Sequence, residues 1–111
     1  MATQRALPGG RLDWTSFPAD SPHGGVRARR FDSDALTLIR YEFDPEASYP
    51  LHEHEHEHFI YAVDGRASIR LGADVLEVQP GDIVRVPADA THGITAGETG
   101  ATLLNVGPRR S

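Results

Sequence analysis

Turn residues recur so densely in this chain that no amphipathic helix fits between them. From Val26 to Pro108, no segment of ten or more residues carries a helical apolar stripe. Short extended runs alternate instead with Gly, Pro and Asp punctuation. Residues 36–43 (LTLIRYEF) place Thr37, Ile39, Tyr41 and Phe43 on one face. Residues 59–63 are apolar and end at Asp64-Gly65, a dipeptide that predicts a two-residue hairpin. Residues 66–71 alternate cleanly, with Ala67, Ile69 and Leu71 opposite Arg66, Ser68 and Arg70. Gly72-Ala73-Asp74 turns into 75–78, Pro80-Gly81-Asp82 turns into 83–86, and the run 101–106 ends at Gly107-Pro108. Roughly seven or eight short strands, with turns about every 6–12 residues, predict an all-β sandwich or barrel. The core of that structure is expected over 36–108. Residues 1–25, broken by Pro8-Gly9-Gly10, Phe17-Pro18, Ser21-Pro22 and Gly24-Gly25, read as an irregular N-terminal arm. An extra strand and a swapped arm are both compatible with it, and Trp14 and Phe17 are expected to staple it to the barrel.

A length of 111 residues suits a single domain, 1–111. With 39% hydrophobic residues the chain builds a modest core, and a formal charge of −5 argues against nucleic-acid or polybasic membrane partners. No apolar run is long enough for a signal peptide or a spanning helix, so a cytoplasmic location is expected. All 11 basic residues are Arg, which excludes lysine nucleophiles and Schiff bases. Cysteine is absent, which excludes disulfides, thiolate nucleophiles and thiolate-bound metals. The pairs Arg29-Arg30 and Arg109-Arg110 read as solvated charges.

Histidine is in surplus: there are six, four of them within the seven residues 52–58. His52, His54, His56 and His58 alternate with Glu53, Glu55 and Glu57. A solvated charge run and a specific metal site are the two readings. On one continuous strand, residues i and i+6 stand ~20 Å apart at ~3.3 Å per residue, too far to share an ion. Residues i and i+2 share a face and chelate together. A third ligand from this run requires a bend through Glu55-His56-Glu57, which returns His58 to the pair and leaves His56 pointing away. The carboxylates of Glu53, Glu55 and Glu57 then face outward and keep their hydration. A fourth ligand from a distant segment would preorganise the site. Of the two remaining histidines, His92 follows a strand and short loop, and is the better candidate than His23 in the arm.

These residues resemble the two histidine motifs of the cupins, a family of small β-barrels. In the first motif, G-x5-H-x-H-x3/4-E-x6-G, His52 and His54 take the histidine positions and Gly65 the closing glycine. In the second, G-x5-P-x-G-x2-H-x3-N, Gly81, Pro87 and His92 fall in register. Glu46 and Asp89 replace motif glycines, and Ala96 replaces the asparagine. The acidic ligand position falls on His58 at one spacing and on Phe59 at the other, which resembles the four-histidine subgroup of small single-domain cupins. Glu57, shifted by a bulge, is the alternative ligand. The resemblance covers about residues 36–108 and implies a cupin, or double-stranded β-helix (jelly-roll-like), barrel. It also implies one divalent transition metal, Mn, Fe, Cu, Ni or Zn, bound by His52, His54, His58 and His92.

Strand phase puts Ile60 and Ala62 with His58, and Ile94 with His92, as walls of an apolar pocket for a small organic substrate. Arg40 and Asn105 are further pocket candidates, and Tyr41 and Tyr61 are the candidate catalytic side chains. Phe59, Tyr61 and Val63 make the other face of the same strand apolar, which predicts a homodimer. The leading functional expectation is a mononuclear metal dioxygenase or other oxidoreductase. A non-redox isomerase or polyketide-type cyclase is the second, with Tyr41, Tyr61, Glu53, Glu55 or Glu57 as acid or base. A non-enzymatic metal- or ligand-binding protein is the third.

Overall fold

The computed structural model describes residues 9–109. The first eight residues of the arm and Arg110 lie outside the described residues. Eight strands follow one another: β1 (Asp20–His23), β2 (Val26–Asp32), β3 (Leu36–Phe43), β4 (Ser48–His52), β5 (His58–Leu71), β6 (Asp74–Val78), β7 (Ile83–Val86) and β8 (His92–Pro108). Every pairing is antiparallel. The all-β barrel expected from turn spacing is the fold observed, and among the described residues no helix is long and apolar enough to cross a membrane.

The two long strands organise it. The first half of β5 pairs with β7 on one side and with the second half of β8 on the other. That half of β8 continues to β3, β2 and β1. The second half of β5 pairs with β6 and with the first half of β8, which continues to β4. Both halves of this single eight-stranded sheet therefore share β5 and β8 and enclose one core, in which Val26, Phe43, Ile60, Val86 and Leu103 meet Ile69, Val78 and Ile94.

For both halves of β5 to face that core, the strand must switch its inward phase. His58, Ile60 and Ala62 are buried in the first half, and Ala67 and Ile69 in the second. The switch falls at Asp64-Gly65, where a hairpin was expected from the sequence. The dipeptide makes no hairpin. It bends a continuous strand, and the pairing moves from Gly65↔Ala101 to Ala67↔Ala96, so β8 carries extra residues opposite the bend. A local bulge signal and a hairpin signal share the same residue chemistry, and only the partner strand distinguishes them. Gly65 has φ 73°, and a Cβ there would lie 2.1 Å from the carbonyl oxygen of Gly100. Only glycine lets β5 and β8 approach this closely.

The arm is less irregular than its composition suggests. Asp13 accepts a hydrogen bond from the Thr15 amide and caps a single 3₁₀ turn, Trp14–Ser16. Phe17 packs edge-on against Trp14, with ring centroids 5.8 Å apart, and against Phe31 of β2 at 5.6 Å. Arg29 is not simply solvated: its Nη1 donates to the carbonyls of Phe17 and Trp14, at 2.5 and 3.3 Å. The extra strand the arm was able to supply is β1, paired with β2 of the same chain. β1 has no apolar alternation and holds through backbone pairing, so periodicity gave no sign of it.

Candidate metal centre

The chain enters the site on β4 and leaves it on β5. His52 ends β4, opposite His92 at the start of β8. The chain then turns through 53–57, and His58 opens β5, facing inward beside Val86. The bend inferred from the His–Glu spacing is present. Its backbone is tied to the second motif by the Asp89 amide, which donates to the His54 carbonyl at 2.7 Å.

Four imidazoles converge. One ligand atom from each of His52, His54 and His92 lies within 4.8 Å of the others, an arrangement able to hold a metal ion. The His52 and His92 ring centroids are 4.1 Å apart, and those of His52 and His54 4.7 Å. The His58 ring is 4.9 Å from His92 and 5.0 Å from His54. His92 and His58 are buried, at 1% and 6% exposure.

Ring orientation follows from backbone carbonyls. His52 Nδ1 lies 2.8 Å from the Pro50 carbonyl, and His92 Nδ1 lies 2.9 Å from the Ala90 carbonyl. A carbonyl only accepts, so Nδ1 carries the proton and Nε2 presents its lone pair. This is the outer-shell bond that fixes the tautomer of a metal-ligating histidine. Burial, aided by the neighbouring His52, holds the His92 pKa below its ordinary value and outweighs the opposing Ala90 bond. A neutral imidazole is the ligand form. The donor set is all nitrogen and fits a divalent transition metal.

The other candidates separate by strand phase. Ile60, Ile94, Tyr41 and Asn105 line the space over the imidazoles, together with Tyr49. Ala62 is buried in the core on the same phase as His58. Tyr61 lies on the opposite phase, 41% exposed on the outer face, and does not reach this space. Arg40 is likewise on the wrong phase of β3, and its guanidinium stands 3.8 Å from Glu42. Glu57 forms an ion pair with Arg85, and Glu53 accepts a hydrogen bond from Thr91 Oγ1 at 2.9 Å. His56 is exposed at the rim. Tyr41 is different: burial first, then the charge and hydrogen bonding of neighbouring Tyr49, push its pKa up, so its hydroxyl stays protonated at neutral pH.

Tyr49, His23, Arg30 and Thr37 stand near the site, although sequence pattern gave none of them a role there. Tyr49 packs against His52 with centroids 4.7 Å apart, and His23 of the arm packs on Tyr49 at 4.5 Å. His23 thus braces a neighbour of the imidazoles. Arg30 and Thr37 line an outer cavity of about 60 Å³, with Ile39, Tyr41, His54 and Asn105. No local signal marked Arg30; only the β2–β3 register, Arg30↔Ile39, shows that it shares the face of Tyr41.

The two missing motif glycines also find an explanation. Among the described residues, Glu46 and Asp89 are the non-glycine residues with positive φ, at 63° and 66°. The left-handed backbone is kept at both places although the glycine is not.

The family model described as a cupin domain matches residues 39–107. A search of curated protein sequences finds no match. Among solved structures, the chain is similar to KdgF from Halomonas sp., with a TM-score of 0.83 and 23% identity over 94% of this chain and 97% of that one. It is similar to the polyketide cyclase RemF from Streptomyces resistomycificus, with a TM-score of 0.80 and 27% identity over 91% and 80%. It is also similar to a tryptophan-to-tyrosine variant of oxalate decarboxylase from Bacillus subtilis, with a TM-score of 0.82 and 22% identity. There it covers 95% of this chain and 30% of that one.

Proposed function

This chain belongs to the cupin domain family, and from that premise we propose a metal-dependent enzyme acting on a small organic molecule. A divalent metal is held by His52, His54, His92 and His58, in the manner of four-histidine cupins. The observation that carries this reading is the His52, His54 and His92 triad with the His58 ring beside it, two of the triad held at Nδ1 by carbonyls so that Nε2 keeps its lone pair. Mn, Fe, Cu, Ni and Zn all suit the donor set. Bound there, such an ion supplies Lewis acidity and, when redox-active, electrons for O2 chemistry.

Oxidation of the dioxygenase type is the reaction class favoured, because the described residues that line the space over the imidazoles include no carboxylate to act as a general base. Tyr41 stays protonated, Glu57 is held by Arg85, and Tyr61 faces outward. The chain's own contribution is to seat the substrate between Ile60 and Ile94, exclude water with those walls, and donate a hydrogen bond from the Tyr41 hydroxyl to a substrate oxygen. A non-redox cyclase or isomerase is the second reading, supported by the likeness to RemF and by the Tyr41 hydroxyl as a hydrogen-bond donor to a substrate carbonyl.

Metal analysis of protein purified without added metal comes first, followed by turnover in air and under nitrogen. Oxygen uptake dependent on an Fe, Mn, Cu or Ni form supports the first reading. Full activity of an anaerobic Zn form refutes it in favour of the second. For the ligand set, His58→Ala is expected to release metal and Glu57→Ala to retain it; the reverse pattern refutes the assignment of His58. The same proposal includes a homodimer. Phe59, Tyr61, Val63 and Ile83 expose 36%, 41%, 39% and 64% of their surface on one outer face, the kind of apolar patch a second subunit covers.

A further inference from the structure

Above the imidazoles the cavity rises toward solvent, and one permanent positive charge stands at its rim. Among the described residues that line it, this is Arg30. The residue lies on β2, outside the segment that matches the cupin family model, so the family motifs say nothing about it. Its place follows from pairing. Val26, Ala28, Arg30 and Asp32 oppose Phe43, Tyr41, Ile39 and Thr37, and so share the inward face of β3.

Asp32 orients the guanidinium. Its carboxylate accepts from Arg30 Nε at 3.1 and 3.3 Å, and from the Thr37 hydroxyl as well. Among the described residues that ion pair engages Nε alone, which leaves Nη1 and Nη2 as the fork that matches a carboxylate. The other charged side chain at the rim, Glu57, is paired with Arg85 as Arg30 is with Asp32, so what sets Arg30 apart is its open Nη fork.

Size narrows the ligand. The outer cavity holds about 60 Å³ and the space over the imidazoles about 20 Å³. At ~10–15 Å³ per water, the enclosed part is room for several waters, so a small ligand fills it and a larger one extends past the rim into solvent. We infer that Arg30 binds a carboxylate, and that the ligand is a small organic acid whose opposite end faces the imidazoles. The ligand's orientation rests on the metal site proposed above; the carboxylate contact does not.

The test uses two probes that share a chelating dione and differ in charge, pentane-2,4-dione and 2,4-dioxopentanoate. Each is titrated calorimetrically into zinc-loaded protein whose zinc content is measured on the same sample. The wild type is expected to bind the acid at least tenfold more tightly than the dione, with a preference that falls as salt is added. Arg30→Gln is expected to lose at least tenfold for the acid and less than twofold for the dione, and Arg30→Lys to fall between. Equal acid affinity in the wild type and Arg30→Gln overturns the inference. A wild type that retains no zinc overturns the metal reading instead. The Arg30 comparison is then made on metal-free protein from acid-induced NMR shifts, where unchanged shifts in Arg30→Gln overturn it. Should Arg30→Gln fail to fold, Asp32→Asn removes the counter-charge and is expected to tighten acid binding severalfold; no gain overturns the inference.

Discussion

Gly65 and Gly72 make a matched pair. Both have positive φ, 73° and 59°, so an alanine at either position suffers the same left-handed strain. That strain costs ~1–2 kcal/mol and is offset by ~0.5–1 kcal/mol through a less flexible unfolded chain. Gly72→Ala should therefore destabilise by about 0.5–1 kcal/mol, since nothing lies within 4 Å of the added Cβ. At Gly65 the Cβ would meet the Gly100 carbonyl oxygen at 2.1 Å, and the Ala101 Cα and Gly100 carbonyl carbon at 2.9 Å. All three are backbone atoms, so no rotamer relieves the clash. β8 must move by more than about 1 Å, an overpacking that adds ~1–3 kcal/mol and brings Gly65→Ala to about 2–4 kcal/mol. Urea unfolding with linear extrapolation measures both variants. Equal losses would show that the close approach of β5 and β8 carries no weight, and would refute the account of Asp64-Gly65 as an obligatory bend.

Replacing Glu46 or Asp89 by Gly should stabilise by about 0.5–1 kcal/mol each, because left-handed strain is relieved and exceeds the added chain entropy; a loss in urea unfolding would contradict this. His92→Ala and His54→Ala should each weaken zinc binding more than about 100-fold in chelator competition, beyond the ~10–100-fold of outer-shell changes, whereas His56→Ala should leave it unchanged. Asp32 titrates below its ordinary value, first through the Thr37 hydroxyl and then through Arg30. A lowered carboxylate pKa stabilises the fold above the unfolded value, and that contribution is lost as pH falls through the folded one. Thr37→Val should thus flatten the stability–pH curve below about pH 4, and an unchanged acid limb in urea titrations would count against it. Tyr61→Glu should yield monomers in sedimentation velocity if the outer face of β5 joins two copies; an unaltered sedimentation coefficient would point elsewhere.

Much of this architecture was legible because alternation and turn chemistry are local. The run 36–43 is β3 to the residue, and the His–Glu spacing demanded the bend that the chain makes between β4 and β5. What escaped depended on partners. Asp64-Gly65 read as a hairpin because the extra residues opposite it lie more than thirty positions away in β8. Tyr61 and Arg40 read as pocket residues because strand phase says which residues share a face, not which face is the inner one. Arg30 is exposed, as expected of a solvated residue, but pairing with β3 places it on the face of Tyr41, while Arg29 reaches the arm. Asp89 and Glu46 looked like departures from a motif, although the backbone conformation that glycine serves persists in both.

β5 and β8 run through both halves of the sheet, and this has a consequence for how the domain opens. Neither half can peel away without breaking the pairing on which the other depends, so partial unfolding has few places to stop. Amides of 58–71 and 92–108 should exchange with solvent only through global opening, while those of β1 exchange from a frayed edge. Because His58 and His92 begin these same two strands, an ion held between them would report on the whole transition: its binding energy would appear almost entirely as resistance to unfolding.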